Sequence, residues 1–208
     1  MSSNNHTQSL TRGFLLLVGF VVAVGMSGAC LSVQADESVS RTLENRIKSG
    51  FLFNFAKYVD WPEGTFSSPT NAILIGVLGV DPFGKVLDET VSGKRIDGRP
   101  ILLRRFQDVT EIKQCHVLFI SASEKYRLAL IRTYLKQRAI LTVGDFKGFL
   151  EAGGQIGFVT ENNRVKFDIN RDAVRAAGLR LDANLLRVAR RVLPPEDKAS
   201  ADDNETVP

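Results

Sequence analysis

Cysteine and histidine stand side by side at positions 115 and 116, and this pair is the first candidate for chemistry. A thiol beside an imidazole is the arrangement of a nucleophile and its base. The pair falls at the start of a predicted strand, where successive side chains point to opposite faces, so the two groups cannot meet. We therefore predict that Cys115 is a small buried hydrophobe, and a redox role for its thiol is the alternative.

The turn from Gly79 to Val86 is one residue short of a phosphate-binding loop. Val86 stands where a hydroxyl would hold magnesium, Pro82 removes a backbone donor, and Asp81 adds negative charge where phosphate would sit. These departures argue against nucleotide hydrolysis. A turn between a strand and a helix accounts for the glycines, and weak anion binding at the helix start stays open.

The remaining polar residues assemble no catalytic constellation. Asp168 and Asp172 flank a predicted helix cap, and Asp88 with Glu89 lies on an exposed helix edge, so no acid and base are paired. His116 is the only histidine beyond the first 35 residues, which excludes a site with two histidine ligands. We expect no catalytic residue, no metal and no cofactor, and hence a protein that is not an enzyme.

Two groups of residues are candidates for partner binding. Arg187, Arg190 and Arg191 fall in the last turns of the final predicted helix, where the helix dipole favours cations and where they could also contact an acidic partner. Tyr58 and Trp61 close an aromatic segment, Lys48 to Pro62. If this end lies at the surface, their rings form the rigid amphipathic anchors that interfaces favour.

The aromatic segment itself has helical spacing. Its apolar side chains form two adjacent stripes, Phe51, Phe55 and Tyr58 in one and Leu52, Ala56 and Val59 in the other. Such a helix is normally buried, and it is too short and too polar to cross a bilayer. Pro62 forces Trp61 out of the α region and should end the helix there.

Strands and helices alternate along the rest of the chain. Apolar runs predict strands over 72–79, 100–106, 116–121 and 140–143, and helical patterns cover 82–91, 121–138 and 145–152. Residues 155–169 predict a hairpin that turns at Asn162 and Asn163, and helices capped by Asn170 and Asp182 follow, the last reaching Val192. We predict an α/β fold: a single domain with a mixed β-sheet flanked by helices, and a C-terminal β-hairpin and helices.

The first 35 residues predict a secretory signal peptide. Arg12 precedes the apolar run from Phe14 to Val24, and Val33-Gln34-Ala35 is a suitable cleavage site. Lipidation of Cys30 is the alternative, although Ser27 stands where an aliphatic residue is usual. Export predicts a periplasmic protein and excludes cytosolic nucleotide chemistry. After cleavage Cys115 is the only cysteine, so no intramolecular disulfide can form.

The net charge of +4 is unevenly distributed. Residues 41–193 hold 25 Lys and Arg against 16 Asp and Glu, within a predicted domain spanning 36–193. Residues 194–208 hold five acidic residues and one lysine, and they predict a disordered acidic tail. The basic charges are scattered and the compartment is wrong for nucleic acid. An acidic protein surface or anionic membrane headgroups are the expected partners.

Seven segments taken together resemble a known family. They are Lys48 to Pro62, Ile73 to Gly84, Cys115 to Ser121, Ile140 to Val143, Gly153 to Phe158, Phe167 to Asn170 and Gly178 to Arg190. In these segments, which follow in order across nearly the whole mature domain, the chain resembles the YfiR family of exported bacterial regulators. Redox-sensitive members of that family carry several cysteines, whereas here Cys115 has no partner within its own chain.

The resemblance implies a periplasmic, non-enzymatic homodimer. Such a protein binds the periplasmic sensor region of a membrane-bound diguanylate cyclase and represses it, so that cyclic-di-GMP falls. The resemblance further implies capture by an outer-membrane lipoprotein with a peptidoglycan-binding domain, which relieves the repression and favours biofilm formation. The competing hypothesis is a periplasmic sensor that binds a small molecule at the Gly79 to Gly84 turn, because open α/β sheets bind ligands at such edges.

Overall fold

The computed structural model describes residues 28–193, with side chains from Val39 onward. Two compact units divide the chain, Met1–Leu43 and Glu44–Pro208. In the first unit the described residues, 28–43, belong to helix α1 (Gly28–Lys57), which continues into the second unit. Most of the predicted signal peptide and the whole predicted acidic tail lie outside the described residues, and both stay predictions.

The second unit alternates short strands and helices. Its strands are β1 (Val59–Asp60), β2 (Ile73–Leu78), β3 (Arg95–Ile96), β4 (Arg99–Phe106), β5 (Val117–Ile120), β6 (Leu141–Gly144), β7 (Ile156–Glu161), β8 (Arg164–Asn170), β9 (Arg180–Leu181) and β10 (Arg191–Leu193). Its further α-helices are α2 (Lys85–Val91), α3 (Leu128–Leu135), α4 (Arg171–Ala176) and α5 (Ala183–Val188). Two 3₁₀ helices, Val109–Glu111 and Ala122–Arg127, complete the order.

One mixed sheet organises this unit. Its eight strands lie in the order β10-β8-β7-β6-β5-β2-β4-β3, and β4, β2, β5, β6 and β7 run parallel. The chain starts in β2, moves to one side for β4 and then crosses to the other side for β5. The strand order therefore reverses between β2 and β5, as in doubly wound folds. The predicted mixed α/β domain is confirmed.

The sheet has a hydrophobic core on each face. The apolar runs of β2 and β5 are buried on both sides, as parallel strands covered by helices must be. One core packs α1, α2, α4 and α5 against the sheet, with Leu52, Phe55, Leu87, Val174 and Leu185 among its buried residues. The other core packs α3 and the segment 146–150 against the opposite face, around Ile131, Leu135 and Phe149.

The predicted hairpin is confirmed. Strands β7 and β8 pair antiparallel, and Glu161 lies opposite Arg164 at the turn. Asn162 and Asn163 adopt φ angles of 50° and 58°. Asparagine tolerates this left-handed region better than most residues, which makes it suitable for a tight two-residue turn.

The first predicted boundary that is wrong lies at the end of α1. The helix ends at Lys57, four residues before the predicted end at Trp61. Val59 and Asp60 instead pair antiparallel with Leu181 and Arg180, in a small sheet separate from the main one. A proline restricts only the residue before it, whereas this pairing draws the backbone out of the helix from Tyr58 onward.

Other helix predictions also need correction. The final helix stops at Val188, because the chain then turns into β10, which pairs in parallel with β8. Residues 145–152 form turns and not a helix. The helix predicted from Ser121 to about Arg138 begins as a 3₁₀ helix and is regular only from Leu128 to Leu135.

Candidate partner-binding surface

The small sheet of β1 and β9 brings two predicted contact groups onto adjacent elements. The backbone N–H of Asp182 donates to the carbonyl of Tyr58 at 3.0 Å. The Asp182 carboxylate in turn accepts from the Asn184 N–H at 2.7 Å and so caps α5, the helix that carries Arg187. The end of α1 and the start of α5 are therefore fixed to each other.

Trp61 lies in an aromatic cluster at the amino edge of the parallel sheet, where the strands begin. Its ring centroid is 5.9 Å from those of both Phe66 and His116, edge to face in each case. Phe66 stacks on His116 at 4.7 Å, and the Arg99 guanidinium lies 4.0 Å from the Phe66 ring centroid. Trp61 is half-buried, yet its buried Nε1 has no hydrogen-bond partner among the described residues.

His116 serves this cluster as a neutral ring. Its Nδ1 accepts a hydrogen bond of 2.9 Å from the backbone N–H of Leu74, and the residue is 2% exposed. Burial, with a smaller contribution from the positive charge of Arg99, lowers the pKa of His116 to about 4. The imidazole is therefore uncharged at neutral pH, and its role is structural.

The arginine cluster is not the continuous helical patch that the sequence predicted. Arg190 and Arg191 lie beyond α5, and both guanidinium groups bond to the Asp168 carboxylate, at 2.5 and 3.0 Å. Arg190 also pairs with Glu161. Burial would raise the pKa of Asp168, but hydrogen bonds and charge from the two arginines outweigh it and hold that pKa below its ordinary value.

Arg187 is the member of the cluster that has no carboxylate partner among the described side chains. It is exposed, and its guanidinium bonds to the side chain of Asn184. The neighbouring Val188 is 66% exposed and borders a groove of about 290 Å³. The groove is largely apolar and is lined by Phe51, Val165, Lys166, Phe167, Val188 and Arg190. This combination of apolar floor and basic rim is typical of a surface that receives another protein.

The glycine turn of Gly79 to Gly84 is closed by the protein's own groups. Gly79 has φ +86°, and a side chain there would meet Ser123 and Glu124. The N–H of Val80 donates to Ser123 Oγ at 3.0 Å, and the N–H of Phe83 donates to Asp81 at 2.7 Å. Backbone donors that a phosphate-binding loop would offer to a ligand are therefore already occupied.

Sequence reasoning missed the role of Lys48. Its side chain is 8% exposed, and its Nζ lies 2.6 Å from Glu44 and 3.1 Å from Asp145, at the carboxyl edge of the sheet. Thr160 also donates to Glu44, at 3.0 Å. The signal was present, because Lys48 lies one turn before Leu52 on the stripe predicted to be buried. A lysine there requires a carboxylate.

Comparison with the sequence models of protein families identifies the family of this chain. The sequence model of the YfiR/HmsC-like family matches residues 45–190. The chain belongs to the YfiR/HmsC-like family. No curated protein matches it. The matched part of this YfiR/HmsC-like chain includes Tyr58, Trp61, Cys115, Arg187 and Arg190, and it stops one residue before Arg191. The resemblance identified in the sequence is confirmed.

Cys115 of this YfiR/HmsC-like chain lies in surroundings that disfavour the thiolate form of its side chain. It is 5% exposed, and its Sγ donates to the carbonyl of Val117 at 3.2 Å. Burial raises the pKa of the Cys115 thiol to about 12. The family is regulatory and not catalytic. Among residues 28–193, no group of His, Cys, Asp and Glu side chains could hold a metal ion, and no helix has the length and apolarity of a membrane span.

Proposed function

We propose that this YfiR/HmsC-like chain is an exported regulator that represses a membrane-bound diguanylate cyclase. It would bind the periplasmic sensor region of the cyclase and thereby lower cyclic-di-GMP. The observation that supports this proposal is the family match over residues 45–190, which covers nearly the whole folded unit. The basic surface suits an acidic partner, because residues 41–193 hold 25 basic against 16 acidic side chains.

The contact surface that we propose is the junction of α1 and α5. Tyr58 and Trp61 offer half-exposed rings on elements that the β1–β9 sheet holds rigid, and rigid aromatic anchors bind with little loss of conformational entropy. Arg187 and Val188 add an exposed cation and an exposed apolar side chain. We propose an indirect role for Arg190 and Arg191, because their ion pairs with Asp168 hold β10 in place.

Three further elements belong to the same proposal. The protein would reach the periplasm through the signal peptide of residues 1–35. It would act as a homodimer, and an outer-membrane lipoprotein with a peptidoglycan-binding domain would release the cyclase by capturing it. Each of these elements is part of the proposal because the sequence resemblance implies it.

In-cell crosslinking tests the partner and the compartment together. A photo-crosslinking residue at position 187 of the full chain should capture an inner-membrane cyclase, identified by mass spectrometry. Loss of the gene should raise cyclic-di-GMP, and Arg187→Glu should fail to restore the lower level, because an acidic partner would be repelled. Unchanged cyclic-di-GMP after gene loss, with no inner-membrane protein captured, would contradict the proposal.

A matched variant controls for charge and folding. Arg104→Glu makes the same charge change at an exposed position on β4, near the opposite end of the main sheet from β10 and away from the proposed junction. It should restore repression as the unmodified chain does, and both variants should show the circular dichroism and urea midpoint of folded protein. Equal loss of repression in both variants would place the contact outside the α1–α5 junction.

A further inference from the structure

A second cavity lies between α3 and α4, on the amino side of the sheet. Its volume is about 130 Å³, and it is lined by Arg132, Leu135, Lys136, Gln137, Arg138, Ile140, Thr142, Gly153, Gln155, Ala173, Ala176 and Ala177. Arg132 and Lys136 are one helical turn apart and therefore share a face of α3 and its C-terminal cap. Arg138 lies in the loop before β6. We call this space the α3–α4 cavity.

The basic side chains that line this cavity differ from other arginines of the domain in their hydrogen-bond and ion-pair partners. Arg105, Arg127 and Arg190 each form an ion pair with a carboxylate. Among the described side chains, residues 39–193, no carboxylate pairs with any of the cavity's basic residues, Arg132, Lys136 and Arg138. Positive charge is therefore concentrated around the cavity without an internal counter-charge.

Hydrogen bonds hold the two guanidinium groups in place without neutralising them. Arg132 donates to the carbonyl of Ala152 at 2.7 Å, and Arg138 donates to the carbonyl of Ile112 at 2.6 Å. Arg138 also lies 4.6 Å from the ring centroid of Tyr134. Each guanidinium has five N–H donors, so Arg132 keeps donors for a ligand. Arg138 is directed to Ile112 and Tyr134, which do not line the cavity, and it contributes positive charge from nearby. The arginines are thus positioned in advance, which lowers the entropy cost of binding.

Gln155 adds a buried donor to the wall of the cavity. The residue is 6% exposed, and its Oε1 accepts from the backbone N–H of Thr142 at 2.8 Å, which fixes the orientation of the amide. Its Nε2 makes one long hydrogen bond, 3.4 Å, to the carbonyl of Ala173. The second hydrogen of that amide has no acceptor among the described residues, and a buried donor of this kind favours a ligand that supplies one.

The size of the cavity admits a small ligand. One water needs roughly 10–15 Å³ of such space, and the cavity offers about 130 Å³. That is room for a small tetrahedral or planar oxyanion. We propose that the α3–α4 cavity binds a small oxyanion of the phosphate or sulfate class, held by Arg132, Lys136 and the Gln155 amide, with Arg138 adding positive charge nearby. This inference does not depend on the proposed cyclase partner.

Calorimetric titration of the full chain with inorganic phosphate tests the site, with chloride at matched ionic strength as the reference. Lys136→Ala should weaken phosphate binding about tenfold, because a hydrogen bond to a charged group is lost. Gln155→Glu keeps the acceptor for Thr142 but sets a negative charge toward the ligand, so it should abolish binding. Lys113→Ala removes an exposed charge that does not line the cavity and should leave the affinity unchanged.

Amide chemical shifts give a second readout that does not depend on the stability of any variant. Phosphate should shift the backbone resonances of Thr142, Gly153 and Ala173 together, with one binding curve. An affinity that is the same in the unmodified chain, Lys136→Ala and Gln155→Glu would overturn the proposal. So would shifts that are largest at residues outside the cavity, or the absence of any phosphate-specific heat.

Discussion

The two edges of the parallel sheet differ in whether their basic residues form ion pairs. At the carboxyl edge three basic side chains are paired with carboxylates: Lys48 with Asp145, Arg105 with Asp81 and Arg127 with Asp108. At the amino edge lie the aromatic cluster of Trp61 and His116 and the α3–α4 cavity. The basic residues of that cavity have no carboxylate partner among the side chains described, residues 39–193.

The paired basic residues stabilise the fold, whereas the basic residues without a carboxylate partner are candidates for binding. Ligands of open α/β sheets usually bind outside the carboxyl ends of the strands, where the strand order reverses. In this chain that edge is filled by Glu124, Ser123 and ion pairs around the Gly79 turn. Arg132, Lys136 and Arg138, which have no carboxylate partner among residues 39–193, lie instead at the amino edge, where their positive charge attracts anions.

The largest expected effect comes from breaking the pairing at the carboxyl edge. Lys48→Met removes the buried cation between Glu44 and Asp145, and it should lower the free energy of unfolding by about 3 kcal/mol, since carboxylates are then left without a partner. Urea unfolding measures the loss. Lys136→Met, at an exposed position of the amino edge, should change stability by less than about 0.5 kcal/mol. Equal effects of the two changes would contradict the contrast between the edges.

At the amino edge, His116 should make stability depend on pH. Its pKa is lowered to about 4 from an ordinary 6.5, so the unfolded chain binds the proton more readily. The stabilisation is complete above pH 6.5 and falls as the pH drops toward 4, by up to about 3 kcal/mol. Urea midpoints across this range measure it.

His116→Gln is the matched control for that pH dependence, because the glutamine amide keeps an acceptor for the Leu74 N–H. Its stability should be flat between pH 6.5 and 5. Carboxylates with lowered pKa, such as Asp168 and Glu161, cause losses only at lower pH and affect both proteins alike. A slope that survives the substitution would assign the effect to groups other than His116.

Cys115 should be inert in the folded protein. Burial raises its thiol pKa from 9.0 to about 12, so at pH 8 the thiolate fraction is about 1000-fold below that of an exposed cysteine. A disulfide reagent should react with the thiol only after unfolding in urea, and the absorbance of the released thiol measures this. Rapid reaction in native buffer would instead support the redox role.

Trp61→Phe should have only a small effect on stability. The phenyl ring preserves the aromatic contacts with Phe66 and His116, and it removes a buried N–H that has no partner among the described residues. Lost contact area and relief of that donor oppose each other, so the free energy of unfolding should change by less than about 1 kcal/mol. Phe66→Ala, which opens the stack, should cost more. The reverse order would show that the indole N–H is satisfied.

The sequence predicted the features that depend on local patterns. The apolar runs of β2 and β5, the hairpin at Asn162 and Asn163, and the caps at Asn170 and Asp182 follow from periodicity and turn chemistry. Features that depend on distant pairing could not be predicted. The end of α1 at Lys57 requires β9, and the switch from α5 to β10 requires β8.

The same distinction applies to the candidate sites. Burial of Cys115 was predicted from its place at the start of an apolar strand, where it cannot pair with His116, and the residue is 5% exposed. The ion pairs of Arg190 and Arg191 with Asp168 were not, since helical spacing placed both arginines on an exposed helix. Lys48 and Asp145 are almost 100 residues apart, and only the fold shows that one neutralises the other.

The position of the only tryptophan gives the protein a built-in optical reporter. Its indole lies edge to face with His116 and is half-exposed at the junction proposed for partner binding. A protonated imidazole quenches indole emission, and a change of solvent exposure shifts its wavelength. Protonation at the amino edge and docking of a partner should therefore produce two different spectral changes, and both can be followed in the unlabelled chain.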